Sequence, residues 1–575
     1  MFPPSARAFL PAFVAFCLVA VTAPAAKAQA AEDFAGPYLA AREAAVTNDF
    51  AAAARYSLTV LAADPGNAFL QEAALIAQVA VGDMAAALDL AQGMETGPHG
   101  NQLAVLVLLA DAARREDYDA VLARVSAGTN TGPLLDGLMR AWAELGRGQM
   151  GAALEQFDTL VADETYAAFG LFHKALALAS VGDFEAADAI LSGAEAGPFQ
   201  ATRRSVVAHL QVLSQLDRNA SALEMVEALF GADPDPDIAG MKARLLAGEA
   251  LPFTLIGSAR DGLAEVFSSV AAALGGEAPD SYALGYARLA LHVRPDVADT
   301  LLLTAGLLEQ MEQFDLAEAA YAQIKPGDAA YHAAELGRAG ALFAADRVDA
   351  ALEVMTKLAR DYPNLPGVWS ALGDMQRRSQ RFAEAVVSYD RAVLLLAETA
   401  GPAHWYLFYA RGMANERAGD WLRAEVDFRD ALRLNPDQPQ VLNYLGYSYV
   451  DRNENLDEAL TMIETAVARV PDDGAITDSL AWALYRLGRY ADAVAPMEKA
   501  ASLMAADALI NDHLGDIYWA VGRNREAEFQ WRRALSFGPE TEAEADRIRR
   551  KLEVGLDAVL AEEGAPPLHP AADGN

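Results

Sequence analysis

Small residues return at a fixed interval within apolar, helically spaced stretches over the last third of the chain. Gly412, Gly446, Ala481 and Gly515 follow one another at intervals of 34, 35 and 34 residues. Around each, apolar positions recur with the three-to-four-residue spacing of one helix face, then a turn, then a second helical stretch. One interval runs Leu442, Leu445-Gly446, Tyr449, Ala459, Ala466, Pro471, and another Leu514-Gly515, Tyr518, Gly522, Ala527, Trp531, Ala534, Pro539. A third runs Phe408, Gly412, Gly419, Ala424, Phe428, Ala431, Pro436. The pattern predicts a pair of antiparallel helices per interval. The small residue of the first helix and the first alanine of the second sit where the helices cross, and anything larger than a methyl group would push them apart. The aromatic of the second helix fills the groove against the next pair, glycine supplies the turn, and proline closes the unit.

Towards the N-terminus the second-helix alanine returns as Ala351, Ala317, Ala283, Ala222, Ala187, Ala153, Ala87 and Ala53, with Val121 standing in its place in the unit around Tyr118. About fourteen helix pairs fit between Pro37 and Pro539. One interruption, Asp233-Pro234-Asp235-Pro236-Asp237, precedes the next clear pair near Ala259. The organisation expected is a signal peptide over 1–30, a degenerate array over 31–235, an irregular linker or hinge over 236–258, a second array over 259–539, a capping helix over 540–563 and a flexible tail over 564–575.

An interval of 34 residues with these offsets resembles the tetratricopeptide repeat (TPR). The resemblance implies an all-α, right-handed TPR superhelical solenoid of about fourteen pairs with a C-terminal capping helix. It also implies that first helices line a concave face whose exposed positions bind a protein or peptide. In the last five units those positions include Asp374, Arg377, Tyr406, Tyr409, Met413, Asn443, Tyr447, Asp478, Trp482, Tyr485, Asp512, Asp516 and Trp519. Tyrosine and tryptophan at solvent-facing positions offer large contact area at low rotamer cost, the mark of binding hot spots. The competing reading is that these rings only fill the interior of a tight superhelix. The basic clamp that some TPR grooves use for C-terminal carboxylates is missing: the fifth and ninth positions hold Tyr409 and Met413, Asn443 and Tyr447, Asp478 and Trp482, Asp512 and Asp516.

Charge narrows the partners. The net charge of −35 argues against nucleic acid and against basic attachment to an anionic membrane face. Arg7, the apolar run Ala8–Val21 and the small residues of Ala26-Lys27-Ala28-Gln29-Ala30 read as a cleaved secretory signal, with the mature chain beginning near Gln29 or Ala31. The one cysteine, Cys17, lies inside it; Phe16 before it argues against a lipid-attachment signal. The mature chain then has no thiol, disulfide or thiolate metal site. No later segment is long and apolar enough to span a membrane.

Catalytic signatures are absent. Gly146-Arg147-Gly148-Gln149-Met150-Gly151 spells GxGxxG but follows a helical stretch, not the strand a dinucleotide site requires. His513 and Asp516, near Asp512, fit a polar cluster better than a metal site. No cofactor, metal or catalytic residue is expected. The alternative function is a ligand-binding protein or enzyme built on the irregular central segment, which would require a deep polar pocket with converging titratable groups.

The runs Val441-Leu442-Asn443-Tyr444-Leu445-Gly446-Tyr447-Ser448, Asp478-Ser479-Leu480-Ala481-Trp482 and His513-Leu514-Gly515-Asp516 resemble exported proteobacterial TPR adaptors. Among these is the lipoprotein partner of a periplasmic carboxyl-terminal processing protease. That resemblance implies a periplasmic scaffold that holds a protease and brings substrates to it, with peripheral envelope association.

Overall fold

The computed structural model describes residues 28–95, 101–127, 131–194, 202–231, 235–396, 400–566 and 568, with side chains from Phe34 onward. Of the signal expected over 1–30, residues 1–27, including Cys17, lie outside them. Among the described residues the regular structure is 31 α-helices and a 3-10 turn at Pro402–His404, with no strand. The chain forms two compact units that divide at Val354/Met355.

Unit 1 begins with six antiparallel pairs: α1 and α2 (Ala28–Val46, Phe50–Ala63), α3 and α4 (Ala68–Val81, Met84–Glu95), α5 and α6 (Gln102–Arg114, Tyr118–Ser126), α7 and α8 (Pro133–Gly146, Met150–Val161), α9 and α10 (Ala167–Ser180, Phe184–Leu191), α11 and α12 (Arg203–Gln215, Asn219–Phe230). A lone helix α13 (Pro236–Leu246) precedes the hairpin α14 and α15 (Ala259–Leu274, Asp280–Val293). Then come α16 and α17 (Ala298–Gln310, Phe314–Tyr321) and α18 (Tyr331–Ala344); α19 (Val348–Asp361) carries the division between units.

Asp or Asn caps start many of these helices by accepting a backbone N–H, among them Asp49, Asn67, Asn101, Asp117 and Asp183. Each satisfies one of the orphan donors of a first turn. The stretch expected as an irregular linker is in part ordered helix: Asp235 caps Asp237 and Ile238, and Pro236 stands at the first helical position, where its missing N–H costs nothing.

The hairpin departs from simple stacking. α14 packs on α5, α7 and α9, and α15 on α3 and α5, so the pair lies against the first helices of the N-terminal array. The closest approach is at Gly262: a methyl group there would stand 2.5 Å from Cε2 of Trp142, and nearer still to Cδ2 and Cε3. Trp142 is fully buried and donates from Nε1 to Nδ1 of buried His173 at 3.0 Å. Arg204 of α11 holds the buried Glu265 of α14 at 2.7 Å. These helices are apolar on more than one face, as in Leu106-Val107-Leu108-Leu109-Ala110 of α5, all buried. A helix apolar all round must be covered on both sides, and the hairpin supplies the second cover. The hairpin belongs with the N-terminal helices to unit 1.

Unit 2 holds five pairs: α20 and α21 (Pro366–Arg378, Phe382–Leu396), α22 and α23 (Trp405–Arg417, Trp421–Leu434), α24 and α25 (Pro439–Arg452, Leu456–Arg469), α26 and α27 (Gly474–Arg486, Tyr490–Leu503), α28 and α29 (Ala508–Ala520, Asn524–Phe537). α24 packs on α26 and α26 on α28, so first helices adjoin in an inner wall. The crossing geometry matches the steric reading. A methyl group on Gly373 would lie 2.7 Å from the Tyr389 ring, on Gly412 2.6 Å from Phe428, and on Gly446 2.8 Å from Ile463 and 3.1 Å from the Ala459 carbonyl. The extra residue of the 35-residue interval is absorbed by Asn453 and Asn455, both left-handed at φ 57° and 45°, a conformation asparagine tolerates better than most. The expected capping helix is two: α30 (Glu542–Val554) and α31 (Leu556–Glu562), broken at Gly555 with φ 84°. Of the tail expected over 564–575, residues 564–566 and Leu568 are described, and Leu568 is buried; its carbonyl accepts from the Tyr490 hydroxyl at 3.0 Å.

Candidate functional site

The inner wall of unit 2 carries the residues expected to bind a partner, in two sets. The first set is only partly covered by the chain. Tyr406 of α22 is 42% exposed. Tyr409, one turn on, is half-buried, with Tyr444 edge-on at 5.8 Å and Phe428 at 6.0 Å. Met413 follows, half-buried between the clusters of two adjacent pairs. On α24, Asn443 keeps its Oδ1 buried with no hydrogen-bond partner. Tyr447 is half-buried; burial, with Asp478 and Asp451 nearby, pushes its hydroxyl up to about 12. At the start of the wall, Asp374 accepts from the Tyr389 hydroxyl at 2.7 Å, and Arg377 donates to Tyr389 and Tyr406.

The second set is engaged by the chain itself. Asp478 is buried and bonds Nδ1 of His513 at 3.0 Å. Trp482 stacks on the His513 ring at 3.9 Å and on Tyr485 at 4.8 Å, leaving one edge half-exposed. Asp512 and Asp516 clamp Nζ of Lys551, from α30, at 2.8 Å and 2.6 Å. Asp516 also accepts from Trp531 Nε1 at 2.9 Å. Trp519 donates to Asp557 of α31 at 2.8 Å.

The electrostatics follow from crowding. Burial raises the Asp512 carboxyl and Asp516 raises it further, against the pull of Lys551. Burial opposes charge on His513, but Asp478, Asp512 and Asp516 outweigh it and hold the imidazole above its ordinary value. His513 and Asp516 are thus members of a polar cluster. Sequence reasoning missed Lys551 and Asp557. The missed signal lay in the run Arg547-Ile548-Arg549-Arg550-Lys551-Leu552, where Lys551 stands three residues after Ile548, on its buried face.

The alternative site is poorer. A cavity of about 280 Å³ lies against the central segment, lined by Gln211, Asp237, Met241, Arg244, Leu251 and Thr254 among others. Its polar groups are already used: Gln211 pairs with Thr254, Arg244 with Glu249 and the Ala250 carbonyl, Asp237 with Arg203. Among the described residues lining it, no titratable groups converge with free functionality, which an active site needs. In the GxGxxG run, Gly146 ends α7 against Tyr118, Gly148 turns at φ 76°, and Gly151 lies in α8. The glycines serve a helix–helix turn, with no preceding strand.

Comparison with known proteins supports the repeat. Residues 445–508 match the tetratricopeptide-repeat family. Over 192 residues the chain is 32% identical to the TPR repeat-containing protein PA4667 of Pseudomonas aeruginosa; the match covers 32% of this chain and spans 30% of that relative's length. Among solved structures, Cut9 in its complex with Hcn1 is 14% identical, with 92% of this chain and 98% of that one covered at a TM-score of 0.38. Yeast Tom70 is 15% identical, with 80% and 96% covered at 0.34. At such scores neither likeness carries an argument about function.

Proposed function

We propose that this tetratricopeptide-repeat protein is a non-catalytic, protein-binding scaffold of the bacterial cell envelope, exported to the periplasm by a cleaved signal peptide. Its partner is a protein or peptide held on the inner wall of unit 2. A periplasmic carboxyl-terminal processing protease, or that protease's substrates, is the partner to test first, as the resemblance of Val441–Ser448 and Asp478–Tyr490 to exported adaptors implies.

One observation carries the binding role: Tyr406 stands exposed on the inner wall, with Tyr409 and Tyr447 half-buried along it. Rings half-exposed along a wall supply the apolar area of a hot spot. The net charge of −35 favours a basic or amide-rich partner and repels polyanions. No described helix is long and apolar enough to cross a membrane.

The test is recovery of a partner from periplasmic extract on immobilised protein, set against the Trp482→Ala/Tyr447→Ala variant. The reading expects one or more proteins enriched on the parent and lost on the variant. Equal recovery on both would end it. Fractionation and N-terminal sequencing check export, with a mature start near Gln29 or Ala31.

A further inference from the structure

The last stretch of the inner wall is already occupied, and the occupant describes its ligand. Lys551 is the largest charged side chain that is fully buried; its side chain has no exposure, and its Nζ meets four carboxylate oxygens of Asp512 and Asp516 within 2.8 Å. Arg547, one turn earlier, lies 3.7 Å from Asp516 as a second cation. The lysine comes from outside the repeat, on a helix whose buried apolar residues are only Ala545 and Ile548.

A helix needed merely to cover an apolar end would do so better with a leucine or methionine. A buried ion pair seldom beats an apolar replacement in stability, because both charges lose their water. What it provides is selection of a cation in one place. The helix is bounded by turns at glycines, Gly538 at φ 77° and Gly555 at φ 84°.

We propose that Asp512 and Asp516 form a lysine-recognition pocket for an amphipathic, lysine-bearing helix of the partner, and that α30 is an internal competitor for it. The pocket continues the row through Trp482 and Tyr485, so the incoming helix lays apolar residues on the rings and sets its lysine between the carboxylates. The proposal rests on the scaffold reading above.

The probe is a fluorescent synthetic peptide of residues 540–563, with a second peptide carrying Lys551→Ala. The protein is the full chain, as parent and as Lys551→Ala, read by fluorescence anisotropy. Hydrogen exchange reports whether α28 and α29 stay folded. The parent should bind the first peptide at least ~10-fold more weakly than the Lys551→Ala chain, because the tethered helix competes at roughly millimolar effective concentration. The alanine peptide should bind the Lys551→Ala chain at least ~10-fold more weakly than the lysine peptide, as should the lysine peptide once Asp512→Asn and Asp516→Asn are added. Should Lys551→Ala disturb α28, a parent chain cleaved by a protease site inserted at Gly538 keeps the pocket intact. Its C-terminal segment should then exchange for the lysine peptide and not for the alanine peptide. Equal behaviour of the two peptides, or no exchange, overturns the proposal. Either result leaves the Trp482/Tyr447 capture comparison unaffected, so the two readings fail separately.

Discussion

Replacing Gly262 with alanine tests whether the α14–α15 hairpin lies against the N-terminal array. The added methyl group would stand 2.5 Å from Cε2 of Trp142, against an ordinary carbon contact of about 3.5–4 Å. The indole has little room to yield: it is fully buried, tied to His173 through Nε1 and set edge-on to Phe157 at 5.8 Å. Overpacking of this kind costs about 1–3 kcal/mol, and losing the indole hydrogen bond costs about 1 kcal/mol more. Against this, alanine gains up to about 1 kcal/mol of helix propensity. The net expectation is destabilisation by about 2 kcal/mol, worth roughly 3 °C in the melting transition of a unit as long as unit 1. Gly285 on α15 is the control, since a methyl group there meets nothing within 4 Å; its alanine variant should be neutral or stabilised. Thermal melts by circular dichroism give the totals, and hydrogen exchange should place the loss in α7, α9 and α14. If Gly262→Ala behaves like Gly285→Ala, the docking is wrong.

Three further outcomes are expected. Gln380 turns at φ 59°, a left-handed conformation costly for a side chain with a Cβ; Gln380→Gly should therefore stabilise unit 2 by up to about 1 kcal/mol, and a lower melting temperature would contradict that. Gly446→Leu should overpack the α24–α25 crossing and cost about 1–3 kcal/mol, with exchange rising first in adjacent pairs; an unchanged melt would show the frame to be misplaced. Acidification from pH 8 to 5 should act oppositely on the two units. His513 has a raised value, so its contribution is complete below about 6.5 and fades as pH rises through the folded value. His173, held down at about 3 by burial and by Arg204, contributes above 6.5 and loses that contribution as pH falls. Rate-corrected exchange at both pH values should show unit 2 tightening and unit 1 loosening; parallel changes would refute the assignment.

The helix pairs of unit 2 were legible because their signal is local. Gly412 against Phe428 and Gly446 against Ile463 are contacts within one pair, and the sequence interval states them directly. The turns of unit 1 were harder to see because Glu116, Asp217, Glu312 and Asp346 occupy the left-handed position that glycine holds elsewhere. The hairpin against α5 and α7 joins residues more than a hundred positions apart, as Gly262 and Trp142 do, and no interval encodes that. Its trace in the sequence was indirect, in first helices too uniformly apolar to face solvent. At the site, aromatic positions on α22 and α24 were found from their place in the repeat. Their counterparts on α28 face Lys551 and Asp557, and those on α26 pack on His513, because what covers a wall depends in part on a segment outside the repeat.

The most direct test of the scaffold reading is photo-crosslinking in intact cells from single positions of unit 2. A photoreactive residue is placed at Tyr406 or Tyr447 on the inner wall, or at Val387 or Leu422, which are 67% and 77% exposed on the second helices α21 and α23. The account predicts a discrete crosslinked protein from Tyr406 and Tyr447, abolished by Trp482→Ala, and none shared with the other two positions. Crosslinks arising only from Val387 and Leu422 would contradict it.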